Sequence, residues 1–500
     1  MFLKKLIFFS EILPRQTQTY QLFKMSSLTL SEKFQQFLSH GDTGYKQHQY
    51  DGLEWCVAKE NQESVEHDVR GGFIADEMGL GKTIMMIGLM VVNFLSYRRT
   101  LVVLPTILVQ QWADEIYKTT GHRVLIFHGA QKKKITREQL ERAPIVLTTY
   151  GTTAISLRKI DSESDCLLHK VSWDRVVFDE AHHLRNKNSR FYGAKKLNTR
   201  VRWLISGTPV QNNRRDFFNM CSLLGLPATF YAATENMDKL KTDYLLRRTK
   251  SQIGIEMPSL LMNEENIRWN NETEKKFAQA IHNSSEYCSK GDKLKMMLFS
   301  RQTCILPGIL KNRVNNLIFD GLLSPEFFGI DVSTHSSKMD SVLGQIVERK
   351  DNGSGKIVFC HFREEIDRVV ERLKVGGVQN IVVFDARTSL SKRMKMLKND
   401  PIDVLVVQIQ TGSEGLNLQS KFSEIYFVSP HWNPAVEQQA IARCHRIGQE
   451  KVVHVFKYEM DSFEVDVEMG DEPRTMKTLD QYIHNMHNSK REIAQQFIQQ

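Results

Sequence analysis

The stretch that decides the fold is Gly72-Phe73-Ile74-Ala75-Asp76-Glu77-Met78-Gly79-Leu80-Gly81-Lys82-Thr83, followed by an apolar run over 84–92. A short apolar run, a turn with glycines and a Lys-Thr pair opening a helix is what a nucleoside triphosphate needs. Glycines let successive backbone N–H groups face phosphate oxygens, and the helix N-terminus adds positive potential. Lys82 is placed to reach the β and γ phosphates, and Thr83 to offer its hydroxyl to Mg2+. The match to GxxxxGK[ST] is imperfect, because Asp76 stands at the first glycine position. A chance Gly-Lys-Thr at a helix start is the competing reading.

An acidic pair separates the two. Arg175-Val176-Val177-Phe178 leads into Asp179-Glu180-Ala181-His182. A hydrophobic strand would deliver both carboxylates to the C-terminal edge of a parallel sheet, where ligands of α/β proteins bind. Asp179 is expected to hold Mg2+, directly or through water, and Glu180 to orient and deprotonate the attacking water.

Strand-length runs surround these motifs at 101–104, 124–127, 145–148, 176–178 and 203–206, and again at 357–360, 381–384, 404–407, 425–428 and 452–456. Amphipathic segments such as 107–120 and 364–375 separate them. Runs apolar on both faces suit parallel strands covered by helices. An α/β chain with two lobes follows, over 41–250 and 336–475. The intervening 251–335 lacks this rhythm and is expected to be a helical insertion. Residues 1–40 form an N-terminal extension and 476–500 a helical tail, anchored by Leu479, Ile483, Ile493 and Phe497.

Composition bounds the function. Of 500 residues, 41% are hydrophobic and 25% charged, with 28 Gly and 12 Pro, which excludes wholesale disorder and collagen-like folds. The balance of 67 Lys+Arg against 58 Asp+Glu, +9, permits a nucleic-acid partner without requiring one. No two of the seven cysteines lie close enough for a CxxC pair, so no structural metal is expected and the thiols read as reduced. Near the N-terminus, Glu11 cuts short the apolar run after Lys4 and Lys5, below export-signal length, and Met25 offers a second start. No run approaches a membrane span of about 20 residues, so a soluble chain without a membrane partner is expected.

In content and order these motifs resemble the Swi/Snf-related, helicase-like ATPases of superfamily two, over roughly 42–460. DEMGLGKT at 76–83 is similar to the family's nucleotide loop, Asp76, Glu77, Met78, Gly79, Leu80, Gly81, Lys82 and Thr83 included, and DEAH at 179–182 to its Walker B box. His48-Gln49-Tyr50 resembles the adenine-reading motif and nominates Gln49. Leu104-Pro105-Thr106 and Thr148-Thr149-Tyr150 resemble backbone-contacting segments, nominating Thr106 and Thr149 for DNA. Ser206-Gly207-Thr208-Pro209 with Gln211-Asn212 resembles the element that couples hydrolysis to lobe movement, nominating Gln211. Leu246-Arg247-Arg248-Thr249-Lys250 is a further family mark. In the second lobe, residues 412–418 and His431-Trp432-Asn433-Pro434 resemble nucleic-acid and coupling elements, nominating Trp432 and Asn433. The run 439–449 resembles the arginine motif; Ala442, Thr411 and Ser413 depart from the family pattern.

Gln439, Arg443 and Arg446 stand at i, i+4 and i+7, so one helical face is expected to carry them. Two guanidiniums could neutralise charge on a transferring phosphoryl group, an effect worth about 10³–10⁵ in rate. A solvated basic face is the bland alternative. Seven Lys/Arg and no acid between 185 and 202, and the cluster Lys132–Lys134, suit either phosphate contacts or simple solvation. Trp432 is the better candidate by resemblance, and an aromatic beside a turn-like Asn-Pro is otherwise often a packing residue.

The resemblance implies two RecA-like parallel-sheet lobes of the P-loop NTPase, helicase type. It implies ATP and Mg2+ as cofactors and duplex DNA as partner, with nucleosomal DNA left open. The implied activity is a DNA-dependent ATPase translocating on duplex DNA in nuclear transcription or chromatin remodelling. The short layout resembles the family's baculovirus members. A strand-separating helicase and a non-catalytic DNA-binding scaffold are the alternatives; the scaffold requires a broken site, yet Lys82, Asp179, Glu180, Arg443 and Arg446 are all present.

Overall fold

In the computed structural model, the described residues are 28–62, 66–160, 162, 164–207, 214–289, 291–332, 335–412, 416–465 and 474–499. The apolar run after Lys4 and Lys5 and the second start at Met25 therefore lie outside them. The chain divides into two compact units, Met1–Glu256 with Ile493–Gln500, and Met257–Glu492.

Strand β2 (Thr100–Leu104) shows why the sheet of the first unit is covered on both sides. Leu101 and Val103 join Phe73, Val176 and Phe178 in one core. Val102 and Leu104 join Ile74, Val177 and Trp203 in another. Side chains alternate along a strand, so an unbroken apolar run needs a layer against each face. The spatial order is β3 (Leu125–Ile126), β4 (Ile145–Thr149), β2, β5 (Ser172–Asp179), β6 (Asn198–Ile205), β1 (Arg70–Ile74) and β7 (Leu245–Leu246). All neighbours run parallel.

Helices α2 (Gln47–Asn61), α3 (Lys82–Val92) and α4 (Val109–Thr120) cover one face with Leu53, Met86, Leu89, Trp112 and Ile116. Helix α1 (Leu30–His40) starts at a capping box between Thr29 and Glu32. Expected to lie in an extension, α1 instead buries Phe34, Phe37 and Leu38 in this same core. Its apolar spacing makes it part of the unit.

A buried ion pair ties these elements together. Glu60, near the end of α2, and Arg175, on β5, are both 0% exposed. Both carboxylate oxygens of Glu60 accept from the Arg175 guanidinium. Oε1 also accepts Trp203 Nε1 at 2.9 Å, and Oε2 accepts Asn93 Nδ2 at 2.8 Å. Arg175 Nη1 donates to Thr100 Oγ1 at 3.1 Å, and the guanidinium lies 5.2 Å from the Tyr97 ring centroid.

The second unit repeats the pattern. Its order is β10 (Ile381–Phe384), β11 (Val404–Gln408), β9 (Gly355–Cys360), β12 (Phe422–Phe427), β13 (Val453–Met460) and β8 (Leu260–Ile267), all parallel. Val358, Val406 and Tyr426 face one core, and Ile357, Leu405 and Ile425 the other. Strand β8 lies within 251–335, the stretch expected to be a helical insertion or linker, and was not expected there. Its sequence, LLMNEENI, has weak strand propensity, but it pairs with β13 at eight positions. Tertiary pairing overrides local preference here. The helices expected beyond it are present: α5 (Glu272–Tyr287) and α6 (Lys293–Ile305) build a separate core around Phe277, Ile281, Met296 and Phe299. Helix α7 (Ser337–Glu348) and α8 (Arg363–Val375) cover one sheet face, and α10 (Leu479–Gln499) closes the described chain. No described helix is long and apolar enough to cross a membrane.

Removing one member of a fully buried pair leaves an uncompensated charge, at a cost of about 3–5 kcal/mol. Glu60→Ala is therefore expected to lower the unfolding free energy of the first unit by that amount in chemical denaturation. A loss below about 1 kcal/mol, the size of an exposed pair, would contradict the role given to it.

Candidate nucleotide site

The phosphate loop leaves β1 after Ile74 and enters α3 at Lys82. Gly79 and Gly81 have φ of +94° and +83°, a region that side chains rarely adopt. At Gly81 the requirement is also steric, since a Cβ there would fall 2.0 Å from Gln49 Nε2. Lys82 Nζ donates to the main-chain oxygens of Asp76 at 2.7 Å and Glu77 at 3.3 Å. A Cβ on Gly207 would sit 3.6 Å from the same amine. Thr83 is the second residue of α3.

Gln49, on α2, is 3% exposed, and its Nε2 donates to Leu80 O at 3.2 Å. Its Oε1 is buried without a protein partner. His48 Nε2 lies 3.0 Å from the same carbonyl, and burial pushes this imidazole below its ordinary range. The glycine cradle, the Lys82 amine and the unsatisfied Gln49 oxygen together fit a nucleotide. An amide oxygen left buried in that way is costly unless a donor reaches it.

The acids arrive on the same edge. Asp179 is paired with Ile205, and Ile205 with Ile74, so the three lie in one row across β5, β6 and β1. Two strand spacings, roughly 10 Å, separate the Asp179 strand from the phosphate-loop strand. Asp179 Oδ2 accepts Trp112 Nε1 at 2.8 Å, Oδ1 accepts the Glu180 N–H at 2.9 Å, and its carbonyl accepts the Tyr150 hydroxyl at 2.6 Å. Burial, with the Glu180 charge beside it, pushes the Asp179 carboxyl up to about 7. A divalent cation beside this carboxyl would displace the proton and supply the opposite charge that the buried carboxylate lacks. Glu180 has φ +51°, a strained value for a non-glycine residue. Its Oε2 lies 3.2 Å from His182 Nδ1.

The remaining nominated residues separate. Thr106 is exposed just beyond β2. Thr149 is 2% exposed, with its hydroxyl 2.9 Å from Thr152 Oγ1 and 3.2 Å from His128 Nδ1. The hydroxyl of this residue, nominated for DNA, thus has partners within the unit. Of the basic stretch, Lys187, Arg190, Lys195 and Arg200 are exposed, whereas Arg202 and Lys196 bond to Leu197 O and Ile160 O. Gln211 lies outside the described residues, as do 413–415 of the second-lobe motif.

In the second unit, helix α9 (Pro434–Ile441) ends before either arginine. The expectation of one helical face carrying Gln439, Arg443 and Arg446 is thus corrected. The arginine N–H groups show the break: Arg443 N–H donates to Ala440 O at 3.2 Å and Arg446 N–H to Cys444 O at 3.0 Å, not to the carbonyls four residues back. Gln439 is 4% exposed, Arg443 and Arg446 are half-buried, and Arg446 Nη1 donates to Asn417 Oδ1. Asn433 caps α9, its Oδ1 accepting the Ala435 N–H at 3.1 Å. The half-buried Trp432 has the Arg301 guanidinium 5.9 Å from its ring centroid. Three basic side chains hold this loop by its carbonyls: Arg301 at Pro430, His487 at His431, and Lys490 at Trp432.

Sequence reading missed Glu60, Trp112 and Arg248. Trp112 and Arg248 lie within motif-bearing segments, but nothing in spacing links them to the acids or the loop.

These features define a phosphate-loop nucleotide-binding fold in two parallel-sheet units. The chain belongs to the SNF2-related family: the SNF2-related domain matches residues 48–313, and the helicase conserved C-terminal domain matches 337–448. A bovine DNA excision repair protein ERCC-6-like (Bos taurus) is 27% identical over 475 residues, covering 78% of this chain and 38% of that protein. A probable global transactivator of Orgyia pseudotsugata multicapsid polyhedrosis virus is 27% identical over 478 residues, covering 87% of this chain and 92% of that one. The chain thus spans well under half of the ERCC-6-like relative and nearly all of the viral one. The Sulfolobus solfataricus SWI2/SNF2 ATPase core in complex with dsDNA is 23% identical, covering 84% of this chain and 88% of that one with a TM-score of 0.39.

The raised Asp179 carboxyl has a stability consequence. From the ordinary value of 3.8 up to about 7 the folded chain holds a proton that the unfolded chain has released. Stability from this group therefore falls as pH rises through that window. Asp179→Asn does not titrate, so its melting temperature is expected to exceed the wild type's at pH above about 7 and to converge with it near pH 4. A melting difference independent of pH would contradict the shift.

Proposed function

We propose that the chain is a DNA-dependent ATPase motor that hydrolyses ATP to translocate on duplex DNA, in transcription regulation or chromatin remodelling within a nucleus. The observation that carries the reading is the Asp179–Ile205–Ile74 row, which sets acids and phosphate loop on one sheet edge of a SNF2-related chain. Gln49 reads the adenine through its unsatisfied Oε1, and 76–83 cradle the phosphates. Lys82 exchanges the Asp76 and Glu77 carbonyls for phosphate oxygens. Thr83 and Asp179 hold Mg2+, which when bound supplies charge to polarise the phosphoryl oxygens. Glu180 orients the attacking water and takes its proton.

To Arg443 and Arg446 we assign neutralisation of charge on the transferring group, and to Gln211 the coupling of hydrolysis to movement. Thr106, Thr149, Trp432 and Asn433 are the proposed DNA contacts. Duplex DNA as partner is supported by family membership and by the relatives' names, DNA excision repair protein and global transactivator. The helicase C-terminal match favours a second reading, strand separation.

ATP turnover is expected to rise with duplex DNA, and Lys82→Ala to abolish it. Equal turnover in the two proteins would remove the phosphate assignment. Displacement of a triplex strand from intact duplex supports translocation; unwinding with single-strand-stimulated turnover would support strand separation instead. Arg446→Ala is expected to leave ATP binding within about twofold and slow hydrolysis by at least about 10³, because a finger acts chiefly on the transition state. Single-turnover kinetics check this, and weakened binding with an unchanged chemical step would contradict it.

A further inference from the structure

Asp76, which breaks the glycine pattern of the phosphate loop, is 1% exposed, and its carboxylate is engaged by one residue. Arg248 donates to Asp76 Oδ1 from its backbone N–H at 3.0 Å and from Nε at 3.1 Å, and to Oδ2 from Nη2. The next residue repeats the contact. Glu77 Oε2 accepts the Lys250 N–H at 2.8 Å, and Oε1 lies 3.2 Å from Lys250 Nζ.

The main chains are paired as well. Ala75 N–H donates to Leu246 O at 2.8 Å and Glu77 N–H to Arg248 O at 2.9 Å, extending the β1–β7 ladder beyond Ile74 and Leu246. Arg248 Nη1 also donates to the His48 carbonyl, and Nη2 lies 4.0 Å from Met85 sulfur. A Cβ on Gly52 would come within 2.6 Å of that Nη2, so α2 leaves room for it only through a glycine. One guanidinium therefore touches the helix of Gln49, the phosphate loop and the helix that Lys82 opens.

The Lys82 amine rests on the carbonyls of Asp76 and Glu77, the two residues held by Arg248 and Lys250. Displacing 246–250 must displace those carbonyls. The first unit ends a few residues later, at Glu256. We propose that 246–250 is a tether that sets the shape of the phosphate loop, with Arg248 as a positioning residue for the nucleotide. Nucleotide binding and the placement of the chain leaving the first unit are then reciprocally linked, since each changes the free energy of the other equally. The inference rests on the nucleotide reading of the loop.

The test measures affinity for a fluorescent ATP analogue, KM for ATP and melting temperature on the full chain. Charge-assisted hydrogen bonds to the loop are lost in Arg248→Ala, so KM is expected to rise on the order of tenfold, with kcat falling less than about threefold. Asp76→Asn should shift KM in the same direction. The double variant should be no worse than the more affected single one, because both remove one interaction. Arg248→Lys should recover part of the loss. A purely structural role would lower the melting temperature and leave KM at its wild-type value, which overturns the proposal. Additive effects overturn it too. Should Arg248→Ala fail to fold, Lys250→Ala carries the test: a rise in KM of about threefold is expected, and an unchanged KM overturns the tether. If Lys82→Ala binds and turns over ATP normally, the nucleotide reading itself falls. If Lys82→Ala is inactive while Arg248→Ala keeps the wild-type KM, only the tether falls.

Discussion

The first unit is organised around the Glu60–Arg175 pair. A carboxylate and a guanidinium with no exposed surface are tolerated only when their remaining hydrogen-bonding capacity is met, and here Trp203, Asn93 and Thr100 meet it. Those partners sit on the elements that carry the site. Helix α2 bears Gln49 as well as Glu60; α3 begins at Lys82 and ends one residue before Asn93; β6 bears both Trp203 and Ile205. Arg175 and Asp179 share one face of β5, four residues or roughly 13 Å apart. A single interaction thus fixes the register of α2, α3, β5 and β6, and the ends of these elements hold the residues proposed for the nucleotide.

That frame explains why unfavourable features persist at the site. Asp179 is buried beside another carboxylate, and Glu180 occupies a backbone region that suits glycine. Both oppose folding locally. They are over-determined by their surroundings: Trp112 and Tyr150 grip Asp179 from two elements, and the β5–β6 ladder fixes its place in the row. Strain and desolvation collect where chemistry needs them, and the rest of the sheet holds them in place.

Much of this was legible in the sequence. Every apolar run read as a strand contains one, most of them buried on both faces, though 124–127 keeps only the half-buried pair Leu125–Ile126. The phosphate loop and the DEAH acids were legible because their chemistry is local and their spacing short. What was hidden is non-local or low in propensity. Glu60 reads as an ordinary solvated residue at a helix end, and its partner lies 115 positions away. Strand β8 has the composition of a loop and exists by pairing with β13. Spacing suits Arg443 and Arg446 to one helix face, but their N–H groups turn to Ala440 O and Cys444 O, closer in sequence than a helix requires. Asp76 looked like a defect in a motif, and Arg248 supplies its reason.

The loop around Trp432 lies between β12 and α9, yet two of the three side chains that grasp its carbonyls belong to α10, more than fifty residues later. Burial holds the His487 imidazole down to about 4, so this grip is a neutral N–H bond rather than a charge and does not loosen with salt. A ribosome delivers the loop well before it delivers its clasp. During synthesis the second sheet can form while the carbonyls of His431 and Trp432 still lack their partners, and that surface takes its final form only when the late helix docks.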